Sequence, residues 1–118
     1  MTTFQDLAVS RVTGHVAGIT GRGPAGQPVS GVGAQTVRIV ERLAELLAKH
    51  DLDLSSVVRL RIYLTRITDW QEHVIAPVAT GFAGVLPPCT VVEVAALVEP
   101  WMAIEIEVDV ALPGDSHG

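Results

Sequence analysis

The chain has 118 residues, a formal net charge of −5, 48% hydrophobic and only 4% aromatic residues. That is one domain with one core, built from Val, Leu, Ile and Ala. No apolar run reaches the roughly 20 residues of a membrane span, and Met1 to Leu7 has no basic start leading into an apolar signal segment, so a cytoplasmic protein is expected. The single Cys89 excludes an internal disulfide and a multi-cysteine zinc site. The acidic balance, without a Lys/Arg cluster, argues against a nucleic-acid partner.

In chain order, Phe4 to Val9 is a short strand candidate, and His15 to Thr20 is a second that ends in Gly21-Arg22-Gly23-Pro24. Ala25 to Gly33 is rich in Gly and Pro and reads as a surface loop. It lacks both Gly-Lys-Ser/Thr and a GxGxxG between strand and helix, so it is no phosphate loop. Val32 to His50 has helical periodicity: Val37, Val40, Ala44 and Leu47, with Leu43 beside them and Ile39 and Leu46 widening the band, predict one apolar stripe. Arg38, Glu41, Arg42, Glu45 and Lys49 mark its wet face, with Arg38–Glu41, Arg42–Glu45 and Glu45–Lys49 as expected pairs.

After a polar connection, Val57 to Leu64 predicts a strand with Val58, Leu60, Ile62 and Leu64 on one face and Val57, Arg59, Arg61 and Tyr63 on the other. Thr68 and Asp69 offer an N-cap to a second helix, Trp70 to Gly81, which Pro77 should kink or shorten. The last third, Leu86 to Leu112, holds two alternating runs around a break at Pro100. In the second run Met102, Ile104, Ile106, Val108 and Val110 share one face. Ala103, Glu105, Glu107, Asp109 and Ala111 share the other. The tail after Pro113 should fray.

Two helices can cover only one side of such a sheet, which predicts a two-layer α+β sandwich. Its uncovered face would mix Arg59, Arg61, Tyr63, Glu105, Glu107 and Asp109 with Val57, Val91, Ala95, Ala103 and Ala111. Small apolar residues among charges of both signs suit a contact between copies of the chain. His15 and His73 have no ligand spacing to an acid or Cys and are expected as surface or packing residues, and no metal site is expected.

From Thr13 to Leu112 the sequence resembles the Rid family, the reactive intermediate deaminases also called YjgF-like proteins or endoribonuclease L-PSP. The segments PPCTVVEVAAL and AIEIEVDVAL carry the resemblance most specifically, supported by TGHVAGITGRGP, VGAQTVRIVERLAELLAKHDLDLSSVV and RLRIYLTRITDWQEH. The resemblance implies a chorismate-mutase-like fold and a homotrimer with sheets around the threefold axis, helices outside and ligand clefts between subunits. It also implies enamine or imine deamination to a keto acid and ammonia, with no cofactor. Glu105 matches the family's catalytic glutamate, and Thr20 and Gly21 match the small-residue turn of the cleft. The arginine that binds a substrate carboxylate falls on Cys89; the cleft's tyrosine and asparagine fall on Leu7 and Val74.

A thiol cannot form the charged, two-pronged bond that an arginine makes to a carboxylate. Cys89 is therefore expected to line the cleft, with Arg22, or secondarily Arg61, as a replacement for the missing charge. The competing expectation is a non-catalytic trimer that binds a small metabolite or another protein. A ribonuclease or translation inhibitor, roles attached to some relatives, fits the charge least.

Overall fold

The computed structural model describes residues 2–5, 7 and 12–113. The long strands and helices fall where the hydrophobic periods put them. A four-stranded sheet has the order β2–β6–β3–β5, where β2 is Thr13–Thr20, β3 Val57–Leu64, β5 Cys89–Glu93 and β6 Ile104–Ala111. β6 runs antiparallel to both β2 and β3, whereas β5 is parallel to β3. A parallel neighbour requires a crossover, and the second helix supplies it. Helix α1, Val32–Ala48, and helix α2, Trp70–Gly81, cover one face of the sheet. The result is the two-layer α+β sandwich that the element order predicts.

A parallel two-residue ladder joins β1, Thr3–Phe4, to β4, Val85–Leu86, which sequence alone does not suggest. β1 begins one residue before the expected Phe4–Val9 strand, and residues 6, 8 and 9 of that stretch lie outside the described residues, as does the tail from residue 114. Among the described residues no helix is long and apolar enough to cross a membrane.

The core sits between the helices and the sheet. Ile39, Leu43 and Leu47 of α1 and Val74 and Val78 of α2 meet Leu60, Ile62 and Leu64 of β3 and Ile104, Ile106, Val108 and Val110 of β6. Each such side chain contributes roughly 1.5–3 kcal/mol when fully withdrawn from water. The alternation of β6 is borne out along its whole length, with buried aliphatics on one side and half-buried acids on the other.

Several details differ from expectation. Val57 is buried, because a register shift between Val57 and Arg59 turns it to the core side opposite Val110. Val91 is in register with Ile62, so it packs on the core side as well, and Ala95 lies beyond the end of β5. The open face is therefore more polar than predicted. The α1 stripe is rotated: Gln35, Thr36, Ile39, Leu43 and Leu47 are buried, whereas Val37 is 49% exposed. Arg42 does not pair with Glu45 but donates from Nη1 to the carbonyl of Thr20 at 2.6 Å, while Glu45 joins Glu41 around Arg38. The two arginines strap α1 to the end of β2 rather than lying in water.

Asp69 is buried without capping α2 through its side chain and instead faces Arg66 at 3.6 Å. The first five residues of that helix, Trp70–Val74, form a wide π turn, and the α-helical part, Ile75–Gly81, begins two residues before Pro77. Proline has no backbone N–H to give to the turn before it, and here that turn is the wider π turn. Pro77 thus shortens the α-helix as expected, and the π turn is the means.

Candidate functional site

The end of β2 and the start of β6 meet where the sequence places the small-residue turn and the first acid. Thr20 is in register with Glu105, and Glu105 with Tyr63 of β3. A register shift between Val16 and Ile19 bulges β2 just before this point. Gly18 lies in that bulge, and a Cβ placed on it would stand 2.7 Å from both Cδ and Oε2 of Glu105. The glutamate therefore lies back over β2, in space that only glycine leaves open.

The turn that follows is fixed from behind. Gly21 is buried, and a Cβ there would come 2.7 Å from the Cα of Gln35. Gln35 is itself only 2% exposed. Its amide donates to the carbonyls of Val29 and Trp101, and its Oε1 accepts from the N–H of Ala103, all at 2.9 Å. One side chain of α1 thus holds both the loop after β2 and the loop entering β6, and with them the ends that carry Thr20 and Glu105. A polar residue four before Ile39 on a buried helix face is the signal in the sequence that could have revealed it.

Arg22 is not free. It is ion-paired with Glu99, lies over the Trp101 ring at 5.3 Å and donates from Nη1 to the Gly26 carbonyl at 3.1 Å. Its own carbonyl accepts from Arg38 Nε at 2.8 Å. Trp101 Nε1 is buried with no hydrogen-bond partner among the described residues.

On the open face of the sheet Arg61 donates from Nε to Glu107 at 2.7 Å and reaches both oxygens of Asp109 at 3.1 and 3.2 Å. Tyr63 donates to Glu107 at 2.5 Å, and His15 Nδ1 lies 2.7 Å from Asp109. The Tyr63 hydroxyl and then Arg61 hold the Glu107 carboxyl below its ordinary range, and Arg61 does the same for Asp109. Glu107 in turn raises the Tyr63 hydroxyl. Arg61 thus pairs with Glu107 and Asp109, the partners its place on β3 favours. The Glu105 carboxylate has neither a hydrogen bond nor an ion pair among the described residues, unlike those of its two acidic neighbours on the same strand.

Cys89 lies elsewhere. It is in register with Leu60, on the helix side of the sheet and packed against the core. Burial pushes its thiol up to about 11. Leu60 precedes Tyr63 by three residues, about 10 Å along the strand, and β5 and β6 flank β3 on opposite sides. The chain therefore brings Thr20 and Glu105 together at the Gly21 turn, ties the Arg22 side chain to Glu99 and Trp101, and leaves Cys89 apart from Glu105. Leu7 is exposed, whereas Val74 is fully buried in the core.

Only one described cluster has the makings of a cation site: Asp69, Glu72 and His73 offer ligand atoms within 4.8 Å of one another. The guanidinium of Arg66 at Asp69 already supplies that charge. His15 and His73 are surface residues as expected, and each lies beside an acid, His15 at Asp109 and His73 at Glu72. Register and the π turn create those contacts, and both rings remain largely exposed.

A two-helix α+β sandwich with a lone glutamate beside a buried small-residue turn defines the class of this protein. The family model described as Endoribonuclease L-PSP matches residues 3–112, so the chain belongs to that family, the Rid or YjgF-like proteins. Among solved structures, Rv2704 of Mycobacterium tuberculosis, a member of the YjgF/YER057c/UK114 family, is 34% identical, with 89% of this chain and 82% of that one covered and a TM-score of 0.74. The Rid-family protein YyfB of Yersinia pestis is 25% identical over 92% and 86% of the two chains, with a TM-score of 0.80. RidA of an Antarctic Psychrobacter, 21% identical over 90% and 85%, shares the fold with a TM-score of 0.79. No match is found among curated proteins.

Proposed function

We propose that this protein hydrolyses a reactive imine or enamine in a cleft between subunits of a homotrimer, with Glu105 as the acid–base group. The observation that carries the reading is the freedom of Glu105. Glu107 and Asp109 are held by Arg61, whereas Glu105 keeps its acceptor oxygens unused beside the Thr20–Gly21 turn. A carboxylate in that state takes a proton from water as the water adds to the imine carbon. It passes that proton to the nitrogen to give the neutral carbinolamine, then moves the hydroxyl proton to the same nitrogen as the C–N bond breaks, giving a carbonyl compound and ammonia. The substrate is already electrophilic, so positioning and proton transfer suffice, and the reading calls for no metal or organic cofactor.

The separation of Cys89 from Glu105 supports a cleft shared by two copies, since one chain does not bring the two cleft positions together. The uncovered sheet face, with exposed Val92 among charges, supports self-association. A ribonuclease is the weaker reading for a chain of net charge −5.

The test is release of keto acid from an imine generated in situ by an amino-acid oxidase. Wild-type protein should accelerate release over buffer, and Glu105→Gln should not. Equal rates for wild type, Glu105→Gln and buffer would overturn the reading.

A second reading has an observation of its own. The thiol at Cys89 is neutral at physiological pH and Arg22 is tied to Glu99, so the two expected cleft positions offer no free charge. A trimer that binds a small metabolite without turnover meets that condition. Thermal stabilisation by a ligand without product formation would distinguish it.

A further inference from the structure

The charge of a ligand docked beside Glu105 follows from what surrounds that side chain. Of the arginines among the described residues, Arg22 is paired with Glu99, Arg38 with Glu41 and Glu45, and Arg66 with Asp69. Arg42 donates to the Thr20 carbonyl from α1, so it comes from the helix side of the sheet. Two arginines share the open face with Glu105. Arg61 is two residues before Tyr63, but its fork runs along β6 to Glu107 and on to Asp109, away from Glu105. Arg59 is four residues before Tyr63, about 13 Å along β3. Its Nη2 donates sideways to the Thr90 hydroxyl on β5 at 2.7 Å.

What faces Glu105 from its own sheet is therefore neutral or negative. Thr20 of β2 and Tyr63 of β3 are in register with it on either side, and Glu107 is the next acid on its own strand. The Tyr63 hydroxyl is raised chiefly by its bond to Glu107, and the Glu105 charge adds to the effect. Glu105 is half-buried, and no described cation offsets its carboxylate. A second carboxylate brought here would meet like charge in a partly dry setting. A cation would find acceptor oxygens for which nothing on the chain competes.

We propose that the ligand taken at Glu105 is a cation without a carboxylate, which makes the substrate the protonated imine of an amine rather than of an amino acid. The assignment rests on the hydrolytic reading for its reaction and adds the substrate class. The imine enters already protonated. Water adds to its carbon and gives a proton to Glu105, leaving a neutral carbinolamine. Glu105 returns that proton to the nitrogen as the C–N bond breaks, and the hydroxyl proton ends on the departing ammonia. The products are an aldehyde or ketone, an ammonium ion and the free Glu105 carboxylate. The imine of an amino acid meets the same carboxylate with its own positive charge cancelled and a second carboxylate to place.

The experiment is a calorimetric titration of the full chain with benzylammonium and with benzoate, which share a ring and differ in charge. Wild type, Glu105→Gln and Glu41→Gln are compared, with melting curves run on each. Wild type should bind benzylammonium about tenfold or more tighter than benzoate, the gain expected of a charge-assisted hydrogen bond. Glu105→Gln, which keeps the shape and loses the charge, should remove that preference. Glu41→Gln, which removes an equal charge from an exposed place on α1, should retain it.

Benzoate binding as tightly as benzylammonium, or binding of neither, overturns the assignment. So does Glu105→Gln binding benzylammonium like wild type. Loss of the preference in Glu41→Gln also overturns it, since the attraction would then belong to the net charge of the chain. Should Glu105→Gln melt below the assay temperature, the wild-type preference and its retention in Glu41→Gln decide. Turnover separates this inference from the hydrolytic reading. The imines are made in situ from benzylamine by a flavin amine oxidase and from phenylglycine by an amino-acid oxidase, and carbonyl release is followed. Equal or greater acceleration with the phenylglycine imine removes the cation class alone. A benzylammonium preference at Glu105 with turnover of neither imine removes the hydrolysis alone.

Discussion

Gly18 and Glu105 occupy one space. The bulge in β2 brings the glycine under the glutamate so closely that a single methyl group would stand 2.7 Å from the carboxylate carbon. Glu105 owes its position to a missing side chain on the neighbouring strand. Gly18→Ala should therefore displace Glu105 and lower imine hydrolysis at least tenfold, comparable to a misplaced acid–base group. Stability should fall by only about 1–2 kcal/mol, because the site is exposed and a small overpacking can relax outward. Parallel kinetic and urea-unfolding measurements on Gly18→Ala check both expectations.

Gln35 links three pieces of backbone, and removing its amide would leave the Ala103 N–H and the carbonyls of Val29 and Trp101 unpaired. Gln35→Leu should cost about 2–4 kcal/mol, since each buried group left unsatisfied costs about 1–3 kcal/mol and water reaches some of them. Urea denaturation would measure it. Gln35→Glu should also destabilise, because a carboxylate cannot donate to the two carbonyls.

Leu43 lies at the centre of the buried face of α1 and is 2% exposed, whereas Val37 is 49% exposed. Leu43→Ala should cost about 2–5 kcal/mol. Val37→Ala should stay within about 0.5 kcal/mol. Equal costs would place the stripe where the simple hydrophobic period puts it, centred on Val37, Val40, Ala44 and Leu47.

The network of Arg61, Tyr63, Glu107, Asp109 and His15 makes stability depend on pH. Glu107 and Asp109 have carboxyls held below their ordinary range, so their contribution is complete above the unfolded values near pH 4. It is lost as pH falls through the lower folded values. Tyr63 is raised, so its contribution is present below about pH 10 and is lost as pH rises through the folded value. Melting temperature against pH should decline at both ends, and Arg61→Met should flatten the acid limb. An unchanged acid limb would mean that Arg61 is not what depresses the carboxyls.

Cys89 should react slowly. A thiol raised to about 11 by burial holds little thiolate at pH 8. Its alkylation by iodoacetamide should be at least about tenfold slower than that of free cysteine at the same pH. Mass spectrometry over time gives the rate. Rapid labelling would show a thiol in a wetter or more positive setting than its place against the core.

Much of the architecture was readable in the chain itself. The alternation from Met102 to Ala111 assigned β6 its two faces, and the apolar spacing from Val32 onward marked α1. Glu105, Thr20 and Gly21 were singled out by resemblance to a family to which the chain belongs. These signals are local: strand and helix periods repeat within a few residues, and a motif carries its own spacing.

Other features depended on which strand lies beside which. The bulge that turned Val57 inward is a property of pairing with β6, and so is the contact of Gly18 with Glu105. The same holds for Arg22 meeting Glu99 and for Arg59 reaching Thr90, residues 31 apart in the chain. A side chain's partners are set by register, bulges and the reach of long residues across neighbouring strands. Sequence thus determined the layers, the two faces of β6 and the acid to examine. Tertiary structure alone decided which charges among the described residues are spent, as at Arg22 and Arg61, and which, as at Glu105, are not, because charge neutralisation depends on distance in space rather than on spacing in the chain.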